Sequence, residues 1–216
     1  MPCTLNREYL FIHIPKTGGT SVEVAMGMHG PWQIENQNLL YGLIKDQSLL
    51  SKGWLSAFLQ HLTLQDLYQA WGSELAGAVS FSVVRNPWAR FASIFTNIDT
   101  HLKETAFSNG IQLEGLDFSG FVSATADLSH AHLRPQRDYL INSSGLIAVE
   151  NILRTNRLEQ DFSEFCSKYN LSIRLPWVNK SSSSIPFEHH YTARTWSEIG
   201  DRYSMDVDLW ESINNF

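Results

Sequence analysis

Residues 9–21 read YLFIHIPKTGGTS, and this stretch decides the fold. Its first part, Tyr9–Ile14, is a run of apolar and aromatic residues, which predicts a short buried strand. Pro15 and the glycine pair that follows end this strand. The next segment, Thr20–Met28, predicts a helix with hydroxyl residues at its start. The chain therefore opens with a strand, a glycine turn and a helix.

Strand and helix signals alternate along the rest of the chain. Ala78–Val84 (AVSFSVV) and Leu146–Val149 (LIAV) predict two more buried strands. Helices are expected to begin at Pro87 and to cover Leu158–Tyr169 and Thr195–Trp210. This alternation predicts an α/β fold with a central, mostly parallel sheet flanked by helices, in which ligands bind at the carboxyl ends of the strands.

Length and composition favour a single domain over residues 1–216. With 216 residues, 43% of them hydrophobic, the chain can bury one large core. Its net charge of -6 disfavours a nucleic-acid partner, which requires a basic surface. No run approaches ~18 apolar residues and no leader precedes the first strand, so we expect no membrane span and a cytoplasmic location. Cys3 and Cys166 form no CxxC pair, which fits a reducing compartment.

The glycine turn has the composition of an anion-binding loop. Its glycines let backbone N–H groups approach an anion closely, and the helix start adds further N–H groups. Lys16 adds a mobile positive charge, and Thr17, Thr20 and Ser21 add hydroxyls. The loop is not a Walker A sequence, because its lysine precedes the glycines. We therefore predict a pocket for a phosphate-like group; the alternative is a glycine turn with a solvated lysine.

A second anion anchor follows the second predicted strand. Arg85 falls at the end of that strand, and Ser93 lies about one and a half turns into the next helix, ~9 Å along its axis. An arginine side chain is long enough to meet that serine on one phosphate. The alternative is that Arg85 pairs with a carboxylate at the sheet edge. Two phosphate sites on neighbouring strands suit a nucleotide that is phosphorylated at both ends.

These two segments resemble the donor-binding motifs of one enzyme family. Residues 11–21, FIHIPKTGGTS, resemble the 5′-phosphosulfate loop of the sulfotransferases that use 3′-phosphoadenosine-5′-phosphosulfate (PAPS), and residues 83–95, VVRNPWARFASIF, resemble their 3′-phosphate motif. The likeness is greatest to the carbohydrate-type branch, with its heparan 2-O-sulfotransferases and small bacterial members. Weaker similarities to other segments of this family cover most of the remaining chain. Unlike the Golgi members, the sequence shows no membrane anchor or disulfide framework, which disfavours a glycosaminoglycan acceptor.

The resemblance implies a P-loop-like three-layer fold and a chemistry. In-line displacement would move a sulfuryl group from PAPS to an acceptor hydroxyl or amine, without a metal and with PAP as the second product. Lys16 would stabilise the leaving oxygen and His61 would act as general base, with His130 and His132 as alternatives and His13 as a core residue. The implied donor-binding residues are Lys16, Thr17, Gly18, Gly19, Thr20, Ser21, Arg85, Ser93, Lys180 and Ser181.

Two other functions are compatible with parts of the pattern. A magnesium-dependent P-loop kinase for small molecules would explain the glycine loop, but the strand before Arg85 does not end in the aspartate that such kinases use. A binding protein without activity could keep the nucleotide fold, but Lys16 and His61 are both present. The expected partner is a small-molecule or carbohydrate acceptor, and the oligomeric state stays open.

Overall fold

The computed structural model describes residues 2–176 and 185–214, and it contains a three-stranded parallel sheet. The strands are β1 (Tyr9–Ile12), β2 (Val79–Val84) and β3 (Asn151–Arg154), in the order β1-β2-β3. Ile12 lies opposite Ser82, which in turn lies opposite Ile152. Because all the strands run in one direction, their carboxyl ends share one edge of the sheet.

The described helices separate the strands in sequence. They are α1 (Gly19–Ala25), α2 (Gln47–Leu50), α3 (Leu64–Trp71), α4 (Pro87–Thr96), α5 (Thr100–Ser108), α6 (Phe118–Ala124), α7 (Gln136–Leu140), α8 (Leu158–Lys168), α9 (Ala193–Arg202) and α10 (Ser204–Asn214). Short 3-10 helices cover Leu59–His61, Ala131–Leu133, Thr155–Arg157 and Phe187–His190. The α/β fold with a parallel sheet flanked by helices is thus confirmed.

The chain divides into two compact units. The first comprises Met1–Val84 and Gln136–Lys180, and it contains the whole sheet. The second comprises Arg85–Pro135 and Ser181–Phe216, and its described elements are helical. The single domain over residues 1–216 stays a prediction.

Helices α1 and α8 cover one face of the sheet in the first unit. Phe11 and Phe81 from the strands pack with Val22 from α1 and with Phe162 and Phe165 from α8. The other side chains of β1 that alternate with Phe11 are buried as well. Burial on both faces explains why β1 and β2 are nearly continuous apolar runs in the sequence.

An aromatic core holds the second unit together. Phe91 of α4 packs against Phe118 and Phe121 of α6 and against Tyr203, with ring centroids 5.6–6.1 Å apart. Arg90 is buried beside this core, and its guanidinium donates to the carbonyl oxygens of residues 132 and 134, each at 3.0 Å. In residues 2–176 and 185–214, no helix is long and apolar enough to cross a membrane.

Two predicted elements are wrong. Leu146–Val149 is not a strand: Leu146 is 65% exposed, and the third strand is Asn151–Arg154. The single helix over Thr195–Trp210 is instead two helices, α9 and α10, which meet at Tyr203. The buried Tyr203 hydroxyl donates to the Leu133 carbonyl at 2.8 Å, so a specific long-range hydrogen bond lies at the break.

Candidate functional site

The loop between β1 and α1 is a tight turn with unusual backbone angles. Lys16 has φ 69° and Gly18 has φ 89°, both in the left-handed region. A lysine seldom adopts this conformation, and such residues cluster at functional sites. Inside the turn, the buried Thr17 hydroxyl donates to the Ile14 carbonyl at 2.8 Å. The predicted anion loop therefore has a defined shape, with the half-buried Lys16 within the turn.

Gly19, the first residue of α1, permits a close approach of the helix to His13. A Cβ atom at this position would lie 2.6 Å from His13 Nε2 and 3.0 Å from Phe11 Cε1. With any larger residue, either the His13 ring or the helix start would have to shift, because real Cβ atoms do not approach that closely. Packing therefore requires glycine here, in addition to the access to backbone N–H groups that the sequence predicts.

Thr155 connects the loop to the end of β2, all within the first unit. Its hydroxyl lies 2.9 Å from the Thr17 carbonyl oxygen and 2.8 Å from the Val84 carbonyl oxygen. The two carbonyl oxygens are therefore no farther apart than the sum of these distances, 5.7 Å. Val84 is bonded to Arg85, the first residue of the second predicted anchor.

An ion pair fixes the strand that precedes Thr155. Arg154 donates from Nε and Nη2 to the two carboxylate oxygens of Asp161 in α8, each at 2.9 Å, and its backbone N–H donates to the same group at 2.8 Å. Burial raises the pKa of the Asp161 carboxyl, but these contacts with Arg154 outweigh burial and lower it. The end of β3, and with it Thr155, is thus held firmly to α8.

His61 lies at the end of a 3-10 helix, just before α3, whose N-terminus is capped by Thr63. Its Nδ1 faces the His13 carbonyl oxygen at 3.4 Å, and the two imidazole rings meet edge to face at 4.8 Å. A carbonyl oxygen can only accept, so this contact favours the tautomer with hydrogen on Nδ1. In the neutral ring, Nε2 is then the nitrogen that can accept a proton.

His13 is buried, as a core residue would be, but it also forms a polar pair. Its Nδ1 lies 2.5 Å from Oε1 of Glu23 in α1, and both side chains are buried. Glu23 is not among the predicted site residues. Its position gave a signal, however, because Gly19, Val22, Glu23 and Met26 share one face of the helix at helical spacing.

Arg85 and Ser93 belong to the second unit; Arg85 precedes the N-cap of α4, and Ser93 lies within the helix. Asn86 caps this helix by accepting from the Ala89 N–H at 3.1 Å, and Pro87 is its first residue, as predicted. Both Arg85 and Ser93 are half-buried. Burial and the neighbouring charge of Arg90 lower the pKa of the Arg85 guanidinium, because both disfavour its cationic form. An anion beside Arg85 would favour the cationic form.

A histidine cluster in the second unit contains the alternative bases. His132 Nδ1 lies 2.5 Å from Oδ2 of Asp99; burial raises the pKa of Asp99, but the contact with His132 holds it well below its usual range. His130 is buried, and burial followed by the charge of His132 lowers its pKa to about 4. His130 Nδ1 accepts from the His132 N–H at 3.1 Å, so its hydrogen lies on Nε2. His132, which Asp99 orients, is therefore the better alternative of the two.

The comparison with protein families matches this chain over residues 6–210 to the model described as the sulfotransferase family. The chain belongs to the sulfotransferase family. A search of curated proteins and a search of solved structures each found no significant match.

Membership of this family indicates the general activity of this sulfotransferase, which is the transfer of sulfuryl groups. The match includes both the loop around Lys16 and the motif around Arg85. The carbohydrate-type branch stays a prediction, as do the roles of the single site residues. Lys180 and Ser181 lie outside the described residues. Among the described residues, no group of three or more histidine, cysteine or acidic side chains could hold a metal ion.

Proposed function

We propose that this sulfotransferase transfers a sulfuryl group from PAPS to an acceptor hydroxyl or amine, with His61 as general base. The observation that carries the proposal is the position of the Thr155 hydroxyl, within hydrogen-bond distance of both Thr17 and Val84. The glycine loop and the last residue of β2 therefore lie at the same edge of the sheet. A parallel α/β sheet binds its ligands at that edge.

The hydrogen-bond donors of these two segments suit a nucleotide that is phosphorylated at both ends. The loop of Lys16–Ser21 offers backbone N–H groups, hydroxyls and one ammonium group for the 5′-phosphosulfate. Arg85 and Ser93 offer a guanidinium and a hydroxyl for the 3′-phosphate. The family resemblance adds Lys180 and Ser181 to the residues that contact the nucleotide. PAPS itself supplies a sulfuryl group on an anhydride whose phosphate leaves readily.

His61 and Lys16 have different roles in the proposed reaction. His61 Nε2 takes the proton of the acceptor hydroxyl while the acceptor oxygen forms a bond to sulfur. The bond between sulfur and the bridging oxygen breaks, and Lys16 stabilises the negative charge that develops on this oxygen. Since PAP leaves with that electron pair, the step balances without a metal or a redox partner. General-base catalysis of this kind contributes ~10²–10⁴-fold to the rate.

Sulfate transfer from labelled PAPS to an acceptor library, read by mass spectrometry, tests the activity. We expect a sulfated product without added Mg²⁺. If the protein instead consumes ATP in a magnesium-dependent reaction and transfers no sulfate, the kinase alternative is correct. In the same assay, we expect His61→Ala to lower turnover by ~10²–10⁴ while PAP binding is retained. The exposed His189 supplies the matched control, His189→Ala. A slow His132→Ala with a normal His61→Ala would move the base to His132.

Calorimetric titration with PAP tests the second anchor separately. Arg85→Ala removes charged hydrogen bonds worth ~1.5–3 kcal/mol, so the dissociation constant is expected to rise about tenfold or more. Arg194→Ala is the matched control, because the Arg194 side chain is 79% exposed and pairs with Glu198 in α9. Equal PAP affinity in the wild type and in Arg85→Ala would contradict the assignment of Arg85.

A further inference from the structure

The buried pair of His13 and Glu23 is a polar feature that the proposed reaction does not use. Glu23 is 1% exposed and His13 7%, at the interface between β1 and α1. Burying a carboxylate costs free energy unless a partner compensates its charge. A hydrophobic pair would pack this interface as well without that cost. The pair therefore calls for a role beyond packing.

The His13 ring is held on every side for which the structure gives a contact. Glu23 fixes Nδ1, and Phe11 stacks on the ring with centroids 5.5 Å apart. The start of α1 closes on Nε2, where only glycine fits at position 19. The ring edge then meets His61 at 4.8 Å. With these neighbours in place, the His13 ring has one orientation.

His13 in turn provides two contacts to His61. Its carbonyl oxygen faces Nδ1 of His61 at 3.4 Å, and its ring forms a wall against the His61 imidazole. Phe58 borders the same ring at 6.5 Å. These contacts favour the tautomer with hydrogen on Nδ1 and restrict the direction of the His61 ring. Among the contacts given for the described residues, the link from Glu23 to His61 runs through His13.

We infer that Glu23 and His13 are positioning residues that orient His61 for proton transfer. The inference rests on the proposed function, because it assumes that His61 is the general base. Without the carboxylate, the His13 ring can rotate away from His61, and His61 loses the wall that aims Nε2 at the acceptor. Misplacing a catalytic group by about 1 Å can cost ~10²-fold in rate. We therefore expect Glu23 to affect turnover and to leave the donor dissociation constant unchanged.

A double-mutant cycle on sulfate transfer tests this inference. We expect Glu23→Gln to lower kcat by about tenfold to a hundredfold in the wild-type background and to have no further effect in His61→Ala. Residues that act as one unit show such non-additivity. Multiplicative losses in the double variant would overturn the inference. A normal kcat in Glu23→Gln, with His61→Ala slow, would also overturn it and leave the proposed base intact. A normal His61→Ala would instead refute the base itself.

Two further measurements separate positioning from lost stability. Ser82→Ala removes a buried hydroxyl that donates to the Ile12 carbonyl at 2.7 Å, so it weakens the same sheet without touching His13. We expect a lower melting temperature and an unchanged kcat in Ser82→Ala. The ¹⁵N resonances of His61 in the wild-type protein should report hydrogen on Nδ1. Hydrogen on Nε2 would overturn the inference even if Glu23→Gln does not fold. Glu23→Asp, which keeps the carboxylate, should restore part of the lost kcat.

Discussion

Replacing Thr155 with valine tests whether one hydroxyl holds the glycine loop to the sheet. Valine keeps the branched shape of threonine but cannot donate to Thr17 or Val84. A shared hydrogen bond contributes ~0.5–1.5 kcal/mol, and a carbonyl left without a donor costs ~1–3 kcal/mol. Thr155 is half-buried, so water can replace part of the loss. We therefore expect the free energy of unfolding to fall by about 2 kcal/mol.

Thermal unfolding followed by circular dichroism measures this loss. For a chain of this size, ~1 kcal/mol corresponds to ~2–4 °C in Tm, so Thr155→Val should melt ~4–8 °C below the wild type. PAP affinity should fall as well, because the loop is no longer tied to β2. Thr96→Val is the matched control: its hydroxyl donates to the Ala92 carbonyl at 3.1 Å on the exposed side of α4. If Thr155→Val matches the wild type in both Tm and PAP affinity, the reasoning about this hydroxyl is refuted.

Two further predictions concern Gly19 and His130. Gly19→Ala places a methyl group 2.6 Å from His13 Nε2, and overpacking of this kind costs ~1–3 kcal/mol. We therefore expect weaker PAP binding by calorimetry. Gly30→Ala, whose methyl group meets nothing closer than 3.7 Å, should leave PAP binding unchanged. The pKa of His130 is about 4 in the folded protein, against an ordinary 6.5. Between these values the unfolded chain binds a proton at His130 and the folded protein does not, so the free energy of unfolding falls as the pH drops from 7 to 4. At ~1.4 kcal/mol per pH unit, the wild type should lose about 3 kcal/mol more than His130→Gln over this range in urea unfolding; equal losses would contradict the prediction.

The first two strands could be predicted because local sequence determines them. Tyr9–Ile14 and Ala78–Val84 are continuous apolar runs with a breaker directly after them, and both faces of such strands are buried in a parallel sheet. The third strand could not be found in this way. Asn151 and Arg154 are polar residues whose partners lie outside the strand: Asn151 donates to the Ser80 carbonyl, 71 residues away, and Arg154 donates to Asp161 in α8. The apolar periodicity that predicts a strand does not include polar partners of this kind.

The charged and glycine residues of the candidate site could be proposed from sequence, but the residues that hold them in place could not all be found in this way. A lysine and two glycines between a strand and a helix indicate an anion loop without any knowledge of tertiary structure. Thr155 meets Thr17 across 138 residues of sequence, and nothing near either residue points to the other. A partner for Glu23 could have been predicted, because an acidic side chain on the apolar face of a short helix needs one.

The left-handed backbone at Lys16 has a consequence for laboratory evolution of this enzyme. A non-glycine residue at φ 69° costs of order 1 kcal/mol, so Lys16→Gly should relieve strain and raise heat resistance. Selection for thermal tolerance alone would then favour a variant without the ammonium group that we propose to stabilise the leaving oxygen. If Lys16 has the proposed role, mutant libraries selected for thermal stability should keep residue 16 unchanged, because stability and turnover then favour different residues at that position.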